Sequence, residues 1–201
     1  MALNAFLALS GSKTGAIKGS ARQKTREGKI TVVGYEHFIE SARDPKNGAP
    51  TDTRHHHALV VTKEIDLASP MLHKAHAAND TMSDFDLQFF RMPPTGGQEE
   101  NHYTIKLNGA KIAWIRSVMR NNKSQENSLI PELEEVAFTY EQIAWGWKAA
   151  EGNSTGSDQG GDFRNDDEAT KVKEWLTGAA KDIGAKVGEA VKDAMAPKGG
   201  G

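Results

Sequence analysis

The sequence predicts a mainly β protein: a curved or closed barrel of two packed sheets with one flanking α-helix, then a C-terminal amphipathic helix on a flexible linker. Over the first 150 residues, apolar and polar side chains mostly alternate, as in half-buried strands. One segment there, Ser69–Ala78, has helical spacing instead. Later residues are first rich in Gly, Ser, Asn and Asp and then repeat apolar positions near every 3.6 residues. We therefore expect a β domain over 1–150, a linker over 151–167 and a helical extension over 168–201.

Composition excludes several classes of protein. The 201 residues carry a formal net charge of -2, so no global attraction to nucleic acid or to anionic membranes is expected. The absence of cysteine excludes disulfides, thiolate metal sites and a cysteine nucleophile. No stretch approaches the roughly 20 apolar residues of a membrane-spanning helix. We expect neither a nucleic-acid partner nor a membrane partner.

Strands are predicted wherever β-branched and aromatic residues cluster. The first half of the chain offers four such segments, separated by Gly-rich or polar loops. They are Ala5–Leu9, Lys29–Phe38, Arg54–Asp66 and Phe85–Phe89.

A long polar loop is predicted over Ser41–Thr53. Its centre, Asp44-Pro45-Lys46-Asn47-Gly48, combines several turn-forming residues, and Pro50 follows. Loops of this length inside a compact domain are usually functional or disordered. This loop is therefore a candidate functional segment.

The single helix of the β domain is predicted from its end signals. Ser69 can accept a free backbone N–H as the N-cap, and Pro70 suits the first helical turn. Met71, Leu72 and Ala75 follow at helical spacing, and Asn79 is a plausible stop.

In the second half of the domain the alternation of apolar residues changes phase twice. The first change falls at Asn108-Gly109 and the second at Glu141-Gln142. A tight hairpin or a bulged, bent strand both explain the first change, and a bulge explains the second. Strands that change face in this way are what curved sheets and closed barrels require.

The C-terminal extension differs from the rest of the chain. Glu151–Asp162 has the composition of a flexible linker, and Glu168–Met195 has the pattern of an amphipathic helix. The predicted apolar face of that helix includes Val172, Leu176, Ile183, Val187 and Val191. Three internal glycines, each costing about 1 kcal/mol relative to alanine, make the helix marginal without a surface to pack on.

Several short motifs resemble catalytic or metal sites but lack the necessary context. Gly152–Gly156 matches G-x-S-x-G, yet it lies in the predicted linker rather than between a strand and a helix. His55, His56 and His57 form a run without a carboxylate at a matching spacing. We therefore expect no catalytic residues, no cofactor and no metal.

A set of motifs resembles one known family. Arg26–Val33 with Glu36-His37, the Thr62–Asp66 block with Ser69-Pro70 opening a helix, and Leu133–Val136 leading to Tyr140–Trp145 are similar to the hemolysin-coregulated proteins, Hcp, of bacterial type VI secretion. Their order and spacing agree over roughly residues 1–148. The histidine run departs from the family pattern, since Ala58 stands where the family usually has Pro.

The resemblance implies a structural protein without enzymatic activity. Family members form homohexameric rings that stack into the inner tube of a contractile secretion machine, and the lumen can hold effector proteins. The implied partners are other copies of the chain, sheath, baseplate and spike proteins, and effectors. The implied location is the cytoplasm during assembly, followed by export without a cleaved signal peptide.

The resemblance also implies that Ser41–Thr53 helps one ring dock on the next. The interface residues expected from it are Arg43, Asp44, Lys46, Asn47, Asp52 and Arg54.

Two alternatives stay open at this point. The first is a tail-tube protein of a phage-like or extracellular contractile particle, which genomic neighbours or a membrane complex would distinguish. The second is a lone β-barrel that acts as a ligand-binding protein or an enzyme, which would not assemble into rings.

Overall fold

The computed structural model describes residues 3–93, 96–149 and 152–159. In this part of the chain it contains thirteen β-strands, one α-helix and one short 3-10 turn, Gln125–Asn127. The predicted mainly β fold with a single helix in the β domain is therefore confirmed. The strands are β1 Ala5–Gly11, β2 Gly15–Ile17, β3 Ile30–Val32, β4 Gly34–Glu36, β5 Ile39–Arg43, β6 Pro50–His56, β7 Leu59–Glu64, β8 Met82–Arg91, β9 Glu100–Asn108, β10 Lys111–Val118, β11 Leu133–Thr139, β12 Gln142–Ala149 and β13 Gly152–Gln159, and the helix is α1 Ser69–Ala77.

The strands form three antiparallel sheets. The large sheet has the order β13-β12-β9-β8-β1-β2, with β3 also paired to β1. A second sheet has the order β10-β11-β7-β4, and β5 pairs only with β6 in a third. Among the described strands neither larger sheet returns to its first strand. The expected closed barrel is thus replaced by open sheets.

The core lies between the two larger sheets. Alternate residues of β1 and β11 are fully buried, and the ring of Phe85 from the large sheet meets that of Phe138 from the second sheet edge-on at 5.0 Å. Burial of these aromatic and branched side chains supplies the main driving force for packing the layers. Leu72 and Ala75 of α1 belong to the same core.

Each predicted change of phase marks a point where the chain passes from one sheet to the other. β9 belongs to the large sheet and β10 to the second, so Gly109 and Ala110 form a bend between sheets rather than a hairpin. The same holds between β11 and β12, where Tyr140 and Glu141 form the bend. One shifted residue turns the apolar face of the continuing strand toward the same core.

The helix ends as predicted but begins differently. Asn79 follows the helix with a φ of 44°, which is the left-handed conformation typical of a helix stop. The N-cap is Ala68, and no side chain caps the helix. The expectation that Ser69 is the N-cap is therefore wrong, because its hydroxyl is used elsewhere: it accepts the Asp66 backbone N–H and donates to the Glu134 carboxylate.

A buried ion pair joins this corner of the helix to the second sheet. The Lys63 ammonium lies 2.6 Å from Glu134 Oε1 and 2.7 Å from Asp66 Oδ1, and its side chain is 1% exposed. It also donates to the Ser69 hydroxyl at 3.1 Å. Residues from three of the motif blocks thus meet in one shared polar cluster.

Two segments differ from the sequence-based interpretation. Most of the polar loop Ser41–Thr53 belongs to the β5–β6 hairpin, and only its tip is a turn. Gly152–Gln159, placed in the flexible linker, is strand β13 and pairs with β12 along its whole length. Backbone pairing with an existing sheet edge overrides the low strand propensity of its Gly, Ser and Asn residues.

No helix in the described part of the chain is long and apolar enough to cross a membrane. The predicted amphipathic helix Glu168–Met195, with its apolar face, lies outside the described residues.

Candidate assembly interface

The tip of the β5–β6 hairpin is a compact polar turn. Asp44 N donates to Ala49 O at 2.9 Å, and Gly48 N donates to Asp44 O at 2.8 Å. The side chains of Asp44 and Asn47 accept from backbone N–H groups two residues further on, at Lys46 and Ala49. Gly48 adopts a φ of 70°, a conformation that favours glycine. The turn residues of the sequence therefore organise the tip themselves.

The expected interface residues fall into two groups along this hairpin. Arg43, Lys46 and Asn47 are exposed at the tip and Asp44 is half-buried there, so these four lie together. Arg54 lies near the other end, in β6, opposite Ser41. Asp52 is in β6 between them. The tip can offer charges of both signs to a partner surface, whereas Arg54 points to the body of the protein.

At the base of the hairpin a buried hydroxyl joins two histidines. Tyr140 Oη lies 2.7 Å from His37 Nε2 and 2.9 Å from His56 Nδ1. Tyr140 and His56 are each 3% exposed. One proton arrangement satisfies every contact with both rings neutral: His37 Nε2–H donates to Tyr140, Tyr140 donates to His56 Nδ1, and His56 Nε2–H faces Asp158.

The chain of contacts continues to β13. Asp158 Oδ2 lies 3.5 Å from His56 Nε2, and both carboxylate oxygens of Asp158 accept from the Arg54 guanidinium at 2.8 and 2.9 Å. This two-point geometry is the strongest arrangement for an arginine and a carboxylate. We call these five residues the hairpin anchor: His37, His56, Tyr140, Arg54 and Asp158.

The anchor favours neutral histidines. Burial, reinforced by the nearby His56 and His57, lowers the pKa of His37 to about 4. Burial also lowers the pKa of His56, although the Asp158 carboxylate partly offsets this effect. Burial raises the pKa of Tyr140, so its hydroxyl keeps its proton. The anchor is therefore a set of neutral hydrogen-bonding groups ending in one ion pair.

The histidine run does not act as one cluster. His56 joins the anchor, and His57 Nε2 lies 3.1 Å from Glu40 Oε1 across the hairpin. His73 and His76 are exposed on α1. In the described ranges no three His, Asp or Glu side chains are grouped so as to hold a metal ion.

Two exposed apolar patches lie toward opposite edges of the second sheet. The β4 patch consists of Val33, Tyr35 and Phe38, with Phe38 53% exposed. The loop patch consists of Met119, Leu129 and Ile130, just after β10 and before β11, with Leu129 94% exposed. β4 and β10 are the two edge strands of that sheet, so these two sets of exposed apolar side chains lie near different strands.

Sequence reasoning assigned no role to three members of the anchor. His37 and Tyr140 belong to the motif blocks of the family resemblance, which is the signal that could have singled them out. Asp158 carries no such signal, because it lies in a segment with the composition of a linker.

Comparison with known proteins assigns the family. Residues 6–147 match the family model described as "Type VI secretion system effector, Hcp". The chain is 34% identical over 154 residues to the "Major exported protein" of Pseudomonas aeruginosa, a match that covers 72% of this chain and 89% of the relative.

Solved structures agree with this assignment. A mutant of the Hcp1 protein of Escherichia coli superimposes with a TM-score of 0.67 at 33% identity, covering 79% of this chain and 99% of the other. The secreted protein Hcp3 of Pseudomonas aeruginosa superimposes with a TM-score of 0.62 at 27% identity, covering 78% and 99%. The chain therefore belongs to the Hcp family of type VI secretion system proteins.

Proposed function

We propose that this chain is a tube subunit of a type VI secretion system. Six copies close into a ring, rings stack into an inner tube, and a contractile sheath expels the tube. The lumen carries effector proteins. In this role the chain contributes surfaces rather than catalysis, and its proposed partners are further copies of itself together with sheath, baseplate and spike proteins and effectors.

The observation that supports ring closure best is the pair of unlike apolar patches. A closed cyclic ring needs a heterologous contact in which one surface of each subunit meets a different surface of the next. The β4 patch and the loop patch lie toward opposite edges of one sheet, so neighbours arranged in a circle can join them. Exposed side chains such as Phe38 and Leu129 would then be buried by the neighbouring subunit.

The hairpin supports stacking. It forms a two-stranded sheet of its own, and its tip exposes Arg43, Lys46 and Asn47. Charged and amide side chains on an internally hydrogen-bonded turn suit a contact that forms and dissociates repeatedly. We therefore assign ring-to-ring contact to the tip, over residues 43–49.

Export and the C-terminal extension complete the proposal. We propose assembly in the cytoplasm followed by release through the machine, and the name of the Pseudomonas aeruginosa relative, "Major exported protein", supports the export step. For the extension we propose an amphipathic helix whose apolar face, including Val172, Leu176 and Ile183, packs on the ring or on a specific partner.

Deletion of Lys46–Ala49 tests the stacking role. This change removes the centre of the turn but neither apolar patch nor the anchor. We expect hexamers of unchanged mass, loss of tubes in electron micrographs, and loss of the protein from culture supernatants. As a control, alanine substitution of the exposed Lys123 and Gln125 between β10 and β11 keeps the length of that loop and should leave both the ring and its stacking intact. Normal tubes without the hairpin tip would refute the stacking role.

A further inference from the structure

The orientation of the hairpin depends on side chains. β5 and β6 pair only with each other, and no strand of the other two sheets in the described residues extends their ladder. The chain enters the hairpin through His37 and leaves it through His57. Beyond these two covalent connections, the anchor joins the hairpin to the body through hydrogen bonds and an ion pair.

The anchor attaches the hairpin at two places. Tyr140 lies in the bend between β11 and β12, inside the framework of both large sheets. Asp158 lies in β13, opposite Ile143, and thus on the face of the sheet that carries the core. Its carboxylate is 15% exposed and contacts both Arg54 and His56 of β6.

The two attachments differ in their strength. Tyr140 is held by the core, whereas β13 is an edge strand whose sequence, GNSTGSDQ, contains no apolar side chain. Strands with few buried apolar contacts open at low free-energy cost. β13 is also the last described strand before the C-terminal extension.

We propose that Asp158 fixes the angle of the stacking hairpin, and that the pairing of β13 with β12 is thereby coupled to the docking of one ring on the next. When β13 is paired with β12, the carboxylate holds Arg54 and His56 and the tip is presented in one orientation. Displacement of β13 from β12 releases the hairpin from one of its two attachments. The inference rests on the proposed stacking role of the tip.

Amide hydrogen exchange of the full-length hexamer tests this directly. In Asp158→Asn the ion pair is lost while the size of the side chain is kept. We expect exchange over residues 39–56 to become about fivefold faster, because one of two attachments is weakened. Ser157→Ala, one residue away on the opposite face of β13, is the matched control and should leave the hairpin unchanged.

A double variant with the two charges reversed distinguishes loss of the ion pair from misfolding. Arg54→Asp combined with Asp158→Arg reverses the ion pair, and slow exchange in the hairpin should return in the double variant but not in either single one. Unchanged exchange in Asp158→Asn, or faster exchange confined to β12 and β13, would overturn the proposal.

Tube formation by the same variants tests the coupling. We expect Asp158→Asn to form hexamers but fewer tubes, and the reversed pair to recover them. Normal stacking in Asp158→Asn with a loosened hairpin would overturn the coupling. Failure of the stacking role can be told apart from failure of this proposal. If the tip has no stacking role, the variant lacking Lys46–Ala49 still forms tubes, while the hydrogen-exchange result for Asp158→Asn is unaffected.

Discussion

Asp80 illustrates how one buried carboxylate organises a turn. Its Oδ1 accepts from the Ser12 hydroxyl at 2.8 Å, and its Oδ2 accepts from Thr14 N and the Thr14 hydroxyl, each at 2.8 Å. A side chain at Gly11 would collide with Thr14 and Asp80, which explains the glycine. The contact ties the turn between β1 and β2 to the end of α1. The Ser12-Lys13-Thr14 segment thus has a structural role.

Asp80→Asn should destabilise the fold by roughly 3 kcal/mol, because an amide NH2 would face donors that now share a carboxylate. Burial alone would raise the pKa of Asp80, but hydrogen bonds from Thr14, Ser12 and Lys13 outweigh it and hold that pKa well below its usual range. The stabilisation is therefore complete above about pH 4 and is lost as the pH falls toward the lowered pKa. Urea unfolding would measure both effects, with the exposed Asp84→Asn as control; equal stability of the two variants would contradict this account.

The anchor predicts a second dependence on pH. Since the pKa of His37 falls to about 4 in the folded protein, the unfolded chain takes up the proton first, near the ordinary histidine pKa of about 6.5. Stability is then complete above about pH 6.5, falls as the pH drops, and levels off near pH 4. The loss between pH 7.5 and 5 should be about 1 kcal/mol, discounted for partial exposure.

Urea unfolding at several pH values measures this loss. His37→Gln should reduce the dependence between pH 7.5 and 5, while the exposed His73→Gln should keep it. A wild-type protein whose stability does not change over that range would show that the histidines are not held neutral.

At the scale of elements, the sequence predicted where a strand or helix changes direction or ends, but it did not predict which strands pair with each other. The phase changes at Gly109 and Glu141 were visible, but a bulge, a hairpin and a bend between sheets share the same local pattern. Only the pairing of β9 with β12 and of β10 with β11 decides between them. Helix α1 was predictable because its spacing and its stop at Asn79 are local features.

The candidate site shows the same limit. The turn residues Asp44 to Gly48 predicted the tip, yet the flanking strands were interpreted as loop because their side chains are polar on both faces. β13 was interpreted as linker for a similar reason. Long-range contacts such as Arg54 with Asp158 join residues 104 positions apart, and no local pattern encodes them.

Truncation tests where the body of the protein ends. Removal of residues 160–201 keeps β13, and we expect hexamers with a thermal midpoint within a few degrees of the full-length protein. Truncation after Glu151 also removes β13 and Asp158, so β12 loses its edge partner; we expect the midpoint to fall by roughly 5 °C and the hairpin to loosen. Equal midpoints for the two truncations would show that β13 does not stabilise the fold. Monomers after removal of residues 160–201 would show that the extension is needed for assembly.

At the scale of the whole molecule, the sheets carry separate groups of exposed residues that can serve different contacts. The second sheet places the β4 patch and the loop patch toward its opposite edges, and the hairpin forms a separate sheet with a polar tip. Lateral contact and stacking can therefore use different residues. This separation explains how a deletion at the tip can spare the ring.

The central claim is that six copies close into a ring, and the mass of the assembled protein measured together with its image tests it most directly. Light scattering after size exclusion at micromolar concentration should give the mass of six subunits of 21.8 kDa each, and negative-stain micrographs of the same peak should show rings with a central opening. Leu129→Asp, which puts a charge into the loop patch, should shift the peak toward monomers. A monomeric wild-type protein at that concentration, or oligomers without a ring, would contradict the account.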